Sequence, residues 1–282
     1  MPTMAELSAP YANFMLGPRR GPDVCSQCFN LTDGYSRCYS CAHGGRFLDA
    51  MVPISYSVAG EQLHYALAGY KRLNGDIARR FTLGLAAVLW RHLVGHERCL
   101  AHAGNVKRFT VATAVPSSSL ERDGGHPLDD LVNLVGSLEG RYERLLRRSE
   151  TPAAPHEFSP AKYEPLRDLT GQTVLLVDDT WTKGANAQSA AAALKAAGAD
   201  TVAAIVIGRY VNRGWRRNDR QLRRLPQPFD WSTCALCAPP QQGSPASGAG
   251  AAGGSTTAGE LPSAAESPPG HMAAVTPSGD GA

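Results

Sequence analysis

The chain has 282 residues, and its 28 lysines and arginines against 25 aspartates and glutamates give a formal net charge of +3. With 43% hydrophobic and 19% charged residues it has the composition of a globular protein, which excludes the fibrous and wholly disordered classes. The average hides a split. From residue 239 onward there is no lysine or arginine, and the acids are Glu260, Glu266 and Asp280, so the body before it is mildly basic and admits anionic partners.

Residues 1–24 hold Pro2, Pro10, Pro18 and Pro22 with little periodicity and read as an N-terminal arm. Met1–Pro22 shows no basic stretch followed by an apolar one, so no secretory signal is expected. A cysteine module spans residues 25–48, and a mixed pattern runs from about Met51 to Arg224. Leu63, Ala66, Leu67 and Tyr70 are spaced for one helix; Ile77, Phe81, Leu85, Val88 and Leu89 are spaced for a second. The longest apolar run, Phe81–Trp90, is far short of the roughly 20 residues that span a bilayer, so no membrane insertion is expected. Phe109–Val115 is β-rich and closed by Pro116. Leu131, Leu134, Val135, Leu138, Tyr142 and Leu145 predict a helix over Leu128–Leu146, followed by a proline-broken loop over Thr151–Glu164. Thr173–Val177, Ala187–Ala197 and Val202–Ile207 read as strand, helix and strand, a βαβ unit that implies a parallel sheet. The segment from 226 is a C-terminal extension. From about 239 it is almost wholly Ala, Gly, Ser, Pro and Thr and is expected to be disordered.

Cys25-Ser-Gln-Cys28, nine residues and Cys38-Tyr-Ser-Cys41 form two knuckles that can close on one Zn²⁺. Four thiolates fill a tetrahedral shell and leave no position for water, so such a zinc is structural. His43 adjoins the site as a bystander. Cys234-Ala-Leu-Cys237 has no fourth pair and reads as a redox pair, a second half-site or a packed chain end, while Cys99 reads as a small core residue. Seven cysteines without an export signal fit a reducing compartment, so a cytoplasmic location is expected.

The most informative segment is Thr173-Val-Leu-Leu-Val-Asp178-Asp179-Thr-Trp-Thr182-Lys183-Gly184-Ala185-Asn186. Paired carboxylates end an apolar strand, where open α/β sheets bind ligands. The loop after them leads into a helix whose first N–H groups can hold an anion. Carboxylates beside such a cradle describe a sugar-phosphate pocket. The same pattern also suits response-regulator-like and other doubly wound folds.

The segment resembles the phosphoribosyl-diphosphate signature of type I phosphoribosyltransferases. With the knuckles, the Tyr70-Lys71-Arg72 step and Val115-Pro116-Ser117-Ser118, residues 25–210 resemble the ComF family, zinc-ribbon phosphoribosyltransferase-like proteins linked to DNA uptake. The resemblance implies an α/β fold, a parallel sheet flanked by helices over residues 49–225, with the small zinc ribbon before it. It implies that Asp178 and Asp179 hold the ribose hydroxyls, that Thr182, Lys183, Gly184, Ala185 and Asn186 wrap the 5′-phosphate, and that Ser117 and Ser118 lie under the pyrophosphate. Mg²⁺ would bridge the ligand's oxygens, and the phosphoribosyl group would pass to a nitrogen acceptor. Lys183 and Asn186 stand where the family has Thr and Thr or Ser, and Arg122-Asp123-Gly124-Gly125-His126 departs from its Arg-Gly-Phe-Asn pattern.

A second function class rests on Arg209, Arg213, Arg216, Arg217, Arg220, Arg223 and Arg224, interleaved with Tyr210 and Trp215. Arginines with aromatics suit single-stranded DNA, although most such runs are solvated helix faces. Lys71, Arg72 and Lys107 could reach a phosphate, His126 and His156 sit in flanking loops, and Lys162 follows the proline-rich loop, where it could cover a ligand.

Overall fold

Four apolar segments pair as parallel strands in the computed structural model, which describes residues 2–117, 126–154 and 156–241. They are β1 (Ala50–Val58), β2 (Val111–Ala114), β5 (Thr173–Trp181) and β6 (Thr201–Val211), in the order β1-β6-β5-β2. β6 is buried at nearly every residue, as expected for a parallel strand covered on both faces. The short strands β3 (Leu146–Arg148) and β4 (Tyr163–Pro165) form a separate antiparallel pair.

Helices flank the sheet. α3 (Gln62–Arg72) and α4 (Gly75–Ala103) join β1 to β2, and both pack on β1 and β6. α4 buries Leu85, Val88, Leu89, His92, Leu93, His96 and Leu100, a stripe at helical spacing. α6 (Ala185–Ala196) joins β5 to β6, so the predicted βαβ unit is present and its strands are parallel. Shorter helices are α1 (Met4–Ser8), α2 (Tyr39–His43), α5 (Pro127–Asn133) and α7 (Asn218–Leu222).

Two expectations change. The arm is folded onto the body: α1 packs on α4, Met15 is fully buried, and Leu16 pairs with Tyr56 of β1. Leu16 N–H donates to Ser55 Oγ at 2.8 Å, so the arm covers an otherwise open sheet edge. β1 itself gave little signal, because Pro53, Ser55 and Ser57 interrupt its apolar residues although all three are buried. The helix expected over Leu128–Leu146 ends at Asn133. After a 3₁₀ turn at Gly136–Leu138, Gly140 takes a left-handed φ of 76°, and the chain then runs beside β2. There Ala112 N–H donates to the Arg141 carbonyl and Glu143 N–H to the Ala112 carbonyl, so edge pairing replaces the predicted helix. Ser118, Arg122–Gly125 and the chain beyond 241 lie outside the described residues. Among those described, no helix is long and apolar enough to cross a membrane.

Candidate functional site

β2 and β5 are parallel neighbours, with Ala114 opposite Val177. Ser117 therefore lies beyond the carboxyl end of β2, on the sheet edge where β5 reaches Asp178 and Asp179. Ser117 is buried; Thr182 and Lys183 are exposed in the loop after β5. Gly184 caps α6 with a φ of 83°, and no side chain caps the helix, so the N–H groups of Ala185 and Asn186 open its first turn without a side-chain acceptor. That conformation favours glycine. A Cβ there would also stand 2.1 Å from the Trp181 indole.

Strand alternation separates the two carboxylates. Asp179 is buried and already engaged: the Tyr70 hydroxyl donates to it, and the Lys71 ammonium pairs with it. The Tyr70-Lys71 step thus holds the end of α3 on β5, and Lys71 is committed there rather than waiting for a phosphate. Burial, then the charge of Asp179, keeps the Tyr70 hydroxyl protonated far above its ordinary range. Asp178 is only partly buried, and it acts on Tyr163, whose hydroxyl donates to the Pro116 carbonyl at 3.3 Å. Desolvation and the neighbouring Asp179 raise the Asp178 carboxyl from 3.8 to about 7, against the pull of Lys71. Of the pair, Asp178 is the carboxylate a ligand could reach.

Lys162, immediately before β4, is 1% exposed. Its ammonium donates to Asn186 Oδ1 at 2.7 Å, and among the described residues it has no ion-pair partner. The Ser149 N–H holds the Lys162 carbonyl across the β3–β4 pair, and Ser159 N–H donates to Ser189 Oγ on α6. These bonds fix the lysine over the first turn of α6. Desolvation, then Arg148, lowers the Lys162 pKa. Asn186 at this position gives the buried amine an acceptor, its amide oxygen.

The four N-terminal cysteines converge as expected. Cys25, Cys28, Cys38 and Cys41 are all buried with their sulfurs within 4.8 Å of one another, and Cys28 Sγ lies 3.6 Å from Cys38 Sγ. Zn–S bonds of about 2.3 Å in a tetrahedron place sulfurs roughly 3.8 Å apart, so the cluster is sized for one zinc. Arg209 is also buried, and its guanidinium donates to the carbonyls of Cys28 (3.1 Å) and Trp181 (3.0 Å). It has no carboxylate partner among the described residues. A zinc tetrathiolate carries net negative charge and supplies one.

Comparison with family models and with curated proteins returns no match.

The arginine run is divided by the fold. Arg209 belongs to the core, Arg213 pairs with Glu61 and Asp219, Arg223 with Asp219, and Arg216 with Asp33. Arg216, Arg217 and Arg220 are exposed, beside Trp215 at 55% exposure. A concavity of about 490 Å³ is lined by Pro165, Arg167, Asp168, Thr170, Ala196 and Gly198 at the amino ends of β5 and β6. It opens at the opposite end of the strands from Asp178, and Arg167 is already paired with Glu143, so the chemistry does not converge there.

Sequence reasoning missed a second cluster. His96, Cys99, Cys234 and Cys237 also bring their ligand atoms within 4.8 Å of one another. Cys99 is neither alone nor a plain core residue. The available signal was His96-x-x-Cys99 on one helical face, facing an unpaired Cys-x-x-Cys.

Proposed function

We propose that this chain is a phosphoribosyltransferase-like protein of the ComF type. It binds Mg-phosphoribosyl diphosphate at the carboxyl ends of β2 and β5 and transfers the phosphoribosyl group to a nitrogen acceptor. The observation that carries this reading is the Lys162 ammonium, buried without a counter-charge over the uncapped first turn of α6. A buried cation without an anion is costly, and a phosphate seated against that turn supplies one.

In this reading the N–H groups of Ala185 and Asn186, the amine of Lys162 and the exposed Lys183 hold the 5′-phosphate. Thr182 and Gly184 shape the loop. Asp178 accepts a hydrogen bond from a ribose hydroxyl, and Ser117 lies on the pyrophosphate side. Asp179 positions α3 and does not touch the ligand. The residues fit a magnesium that arrives with the ligand, because Asp178, which accepts from the Asp179 N–H at 2.9 Å, has no ion-pair partner among the described residues and phosphate oxygens suit that ion. When bound, it neutralises the leaving pyrophosphate. A nitrogen lone pair forms the new bond to the anomeric carbon as the carbon–oxygen bond breaks. The bonding pair leaves with pyrophosphate, and the nitrogen's proton goes to water. Positive charge developing on the ring faces the Asp178 carboxylate. The tetrathiolate zinc of Cys25, Cys28, Cys38 and Cys41 is structural and takes no part in the transfer.

Titration calorimetry of Mg-phosphoribosyl diphosphate into the wild-type chain and Asp178→Asn tests this. Saturable binding that weakens sharply in the variant supports the site, and absence of binding to wild type refutes it.

A second reading keeps one specific observation, the exposed Trp215 beside Arg216, Arg217 and Arg220. That patch suits single-stranded DNA through stacking and phosphate attraction. It requires binding that falls steeply with salt and weakens in the triple arginine-to-alanine variant.

A further inference from the structure

Two unrelated stretches of chain meet in the last third of α4. His96 and Cys99 stand three residues apart on one face of the helix, and Cys234 and Cys237 approach that face from the last described segment. His96 Nδ1 lies 3.9 Å from Cys99 Sγ and 3.8 Å from Cys237 Sγ. Zinc bonds of about 2.3 Å to sulfur and 2.0–2.1 Å to nitrogen separate such ligand atoms by roughly 3.6 Å in a tetrahedron. We propose that His96, Cys99, Cys234 and Cys237 bind a second zinc ion, which clasps the C-terminal segment to the last third of α4.

Three independent features support a metal rather than a chance gathering of thiols. The first is the histidine's orientation. Its Nε2 lies 3.0 Å from the Trp231 carbonyl, which can only accept, so Nε2 carries the proton and Nδ1 turns a lone pair toward the sulfurs. Metal-bound histidines are commonly anchored in this way.

The second is the turn. In both N-terminal knuckles the residue after the second cysteine donates its N–H to the carbonyl of the first: Phe29 to Cys25 at 3.0 Å and Ala42 to Cys38 at 3.0 Å. Ala238 donates to the Cys234 carbonyl at 2.8 Å in the same way, and Cys234 N–H lies 3.2 Å from Cys237 Sγ. The third Cys-x-x-Cys thus has the backbone of the two that build the tetrathiolate cluster.

The third is need. Residues 226–241 contain no helix or strand. Among the described residues, the backbone bonds that tie them to other parts of the body are Phe229 N–H to the Ala12 carbonyl and Gln241 N–H to the Arg20 carbonyl. The clasp ties this segment to α4 between those two points. Four protein ligands leave no open position, so the ion is structural. A two-iron cluster divides its ligands between two irons and needs them spread more widely than one group within 4.8 Å. The proposal does not depend on the phosphoribosyl reading.

The test is metal content with cysteine reactivity on the full chain purified without chelator. About two zinc ions per chain are expected in wild type and about one in Cys99→Ala/Cys237→Ala, measured by elemental analysis and native mass spectrometry. Cys237 is exposed, so as a free thiol it would alkylate at once. The expected result is protection from iodoacetamide until a chelator is added, read by peptide mapping on wild type even if the variant does not fold. About one zinc per chain with immediate alkylation of Cys237 overturns the clasp. So does a Cys234–Cys237 disulfide in the freshly purified protein, or iron in place of the second zinc.

Discussion

Replacing Lys162 with methionine separates a ligand-binding lysine from a structural one, because the two roles predict opposite signs. Methionine preserves the length of the apolar stem, which is buried beside α6. Folding loses one hydrogen bond from the amine to Asn186, but Asn186 is only partly buried and water can replace the donor. Folding also gains, since a cation with 1% exposure and no described counter-charge no longer has to be desolvated. Lys162→Met should therefore unfold in urea within about 1 kcal/mol of wild type, or later. A phosphate on the first turn of α6 loses a charge-assisted hydrogen bond in a dry site, about 2–3 kcal/mol. At about 1.4 kcal/mol per tenfold, affinity falls roughly 30- to 150-fold. Calorimetry with Mg-phosphoribosyl diphosphate and with ribose 5-phosphate reads both ligands, and the loss should be similar for each because they share the 5′-phosphate. A variant that binds as well as wild type but unfolds several kcal/mol earlier would refute the reasoning and make Lys162 a packing residue.

Three further outcomes are expected. Because the Asp178 pKa is raised to about 7 in the folded chain, affinity for the sugar ligand should rise as pH passes upward through 7. Calorimetry across pH should show that step flattened in Asp178→Asn. For stability, a carboxyl pKa raised on folding favours the native state at acid pH, and that contribution is lost as pH rises through about 7; urea unfolding of Asp178→Asn should therefore gain on wild type by a few kcal/mol at most above neutrality. Asp179→Asn should behave differently, losing about 1–3 kcal/mol of stability as its contacts with Tyr70 and Lys71 weaken, with ligand affinity reduced less than in Asp178→Asn. Gly184→Ala combines a left-handed φ with a contact at 2.1 Å from the Trp181 ring; thermal unfolding should show a loss of about 3 kcal/mol or more, together with loss of phosphate binding.

The sheet was legible where burial is two-sided. Thr173–Val177 and Val202–Ile207 are continuous apolar runs, and each lies within an observed strand. β1 was not legible, because an edge strand covered by the chain's own arm tolerates Pro53 and buried serines that mute its pattern. The stripe from Leu131 to Leu145 failed for another reason: apolar residues facing one core need not share one helix, and glycines at 136 and 140 let the chain turn and pair with β2. At the site, spacing alone brought the four N-terminal cysteines together. Strand alternation implied that Asp178 and Asp179 part, but only tertiary packing shows that Asp179 is consumed by α3. Lys162 and His96 each depend on a partner far along the chain, 24 residues away for Lys162 and 135 for His96, so no local pattern announces either contact.

Arg209 spans a boundary that the sequence draws between ribbon and body. One guanidinium holds the backbone of a cysteine knuckle and the backbone of Trp181, the last residue of β5 before the loop that holds Thr182 and Lys183. A protein built this way cannot exchange its ribbon freely. A replacement module that carried no net negative charge would strand the buried Arg209 cation at the root of that loop. The cysteine knuckle and the start of the Thr182–Lys183 loop thus share one buried side chain, so a change at the thiolates reaches that loop through Arg209.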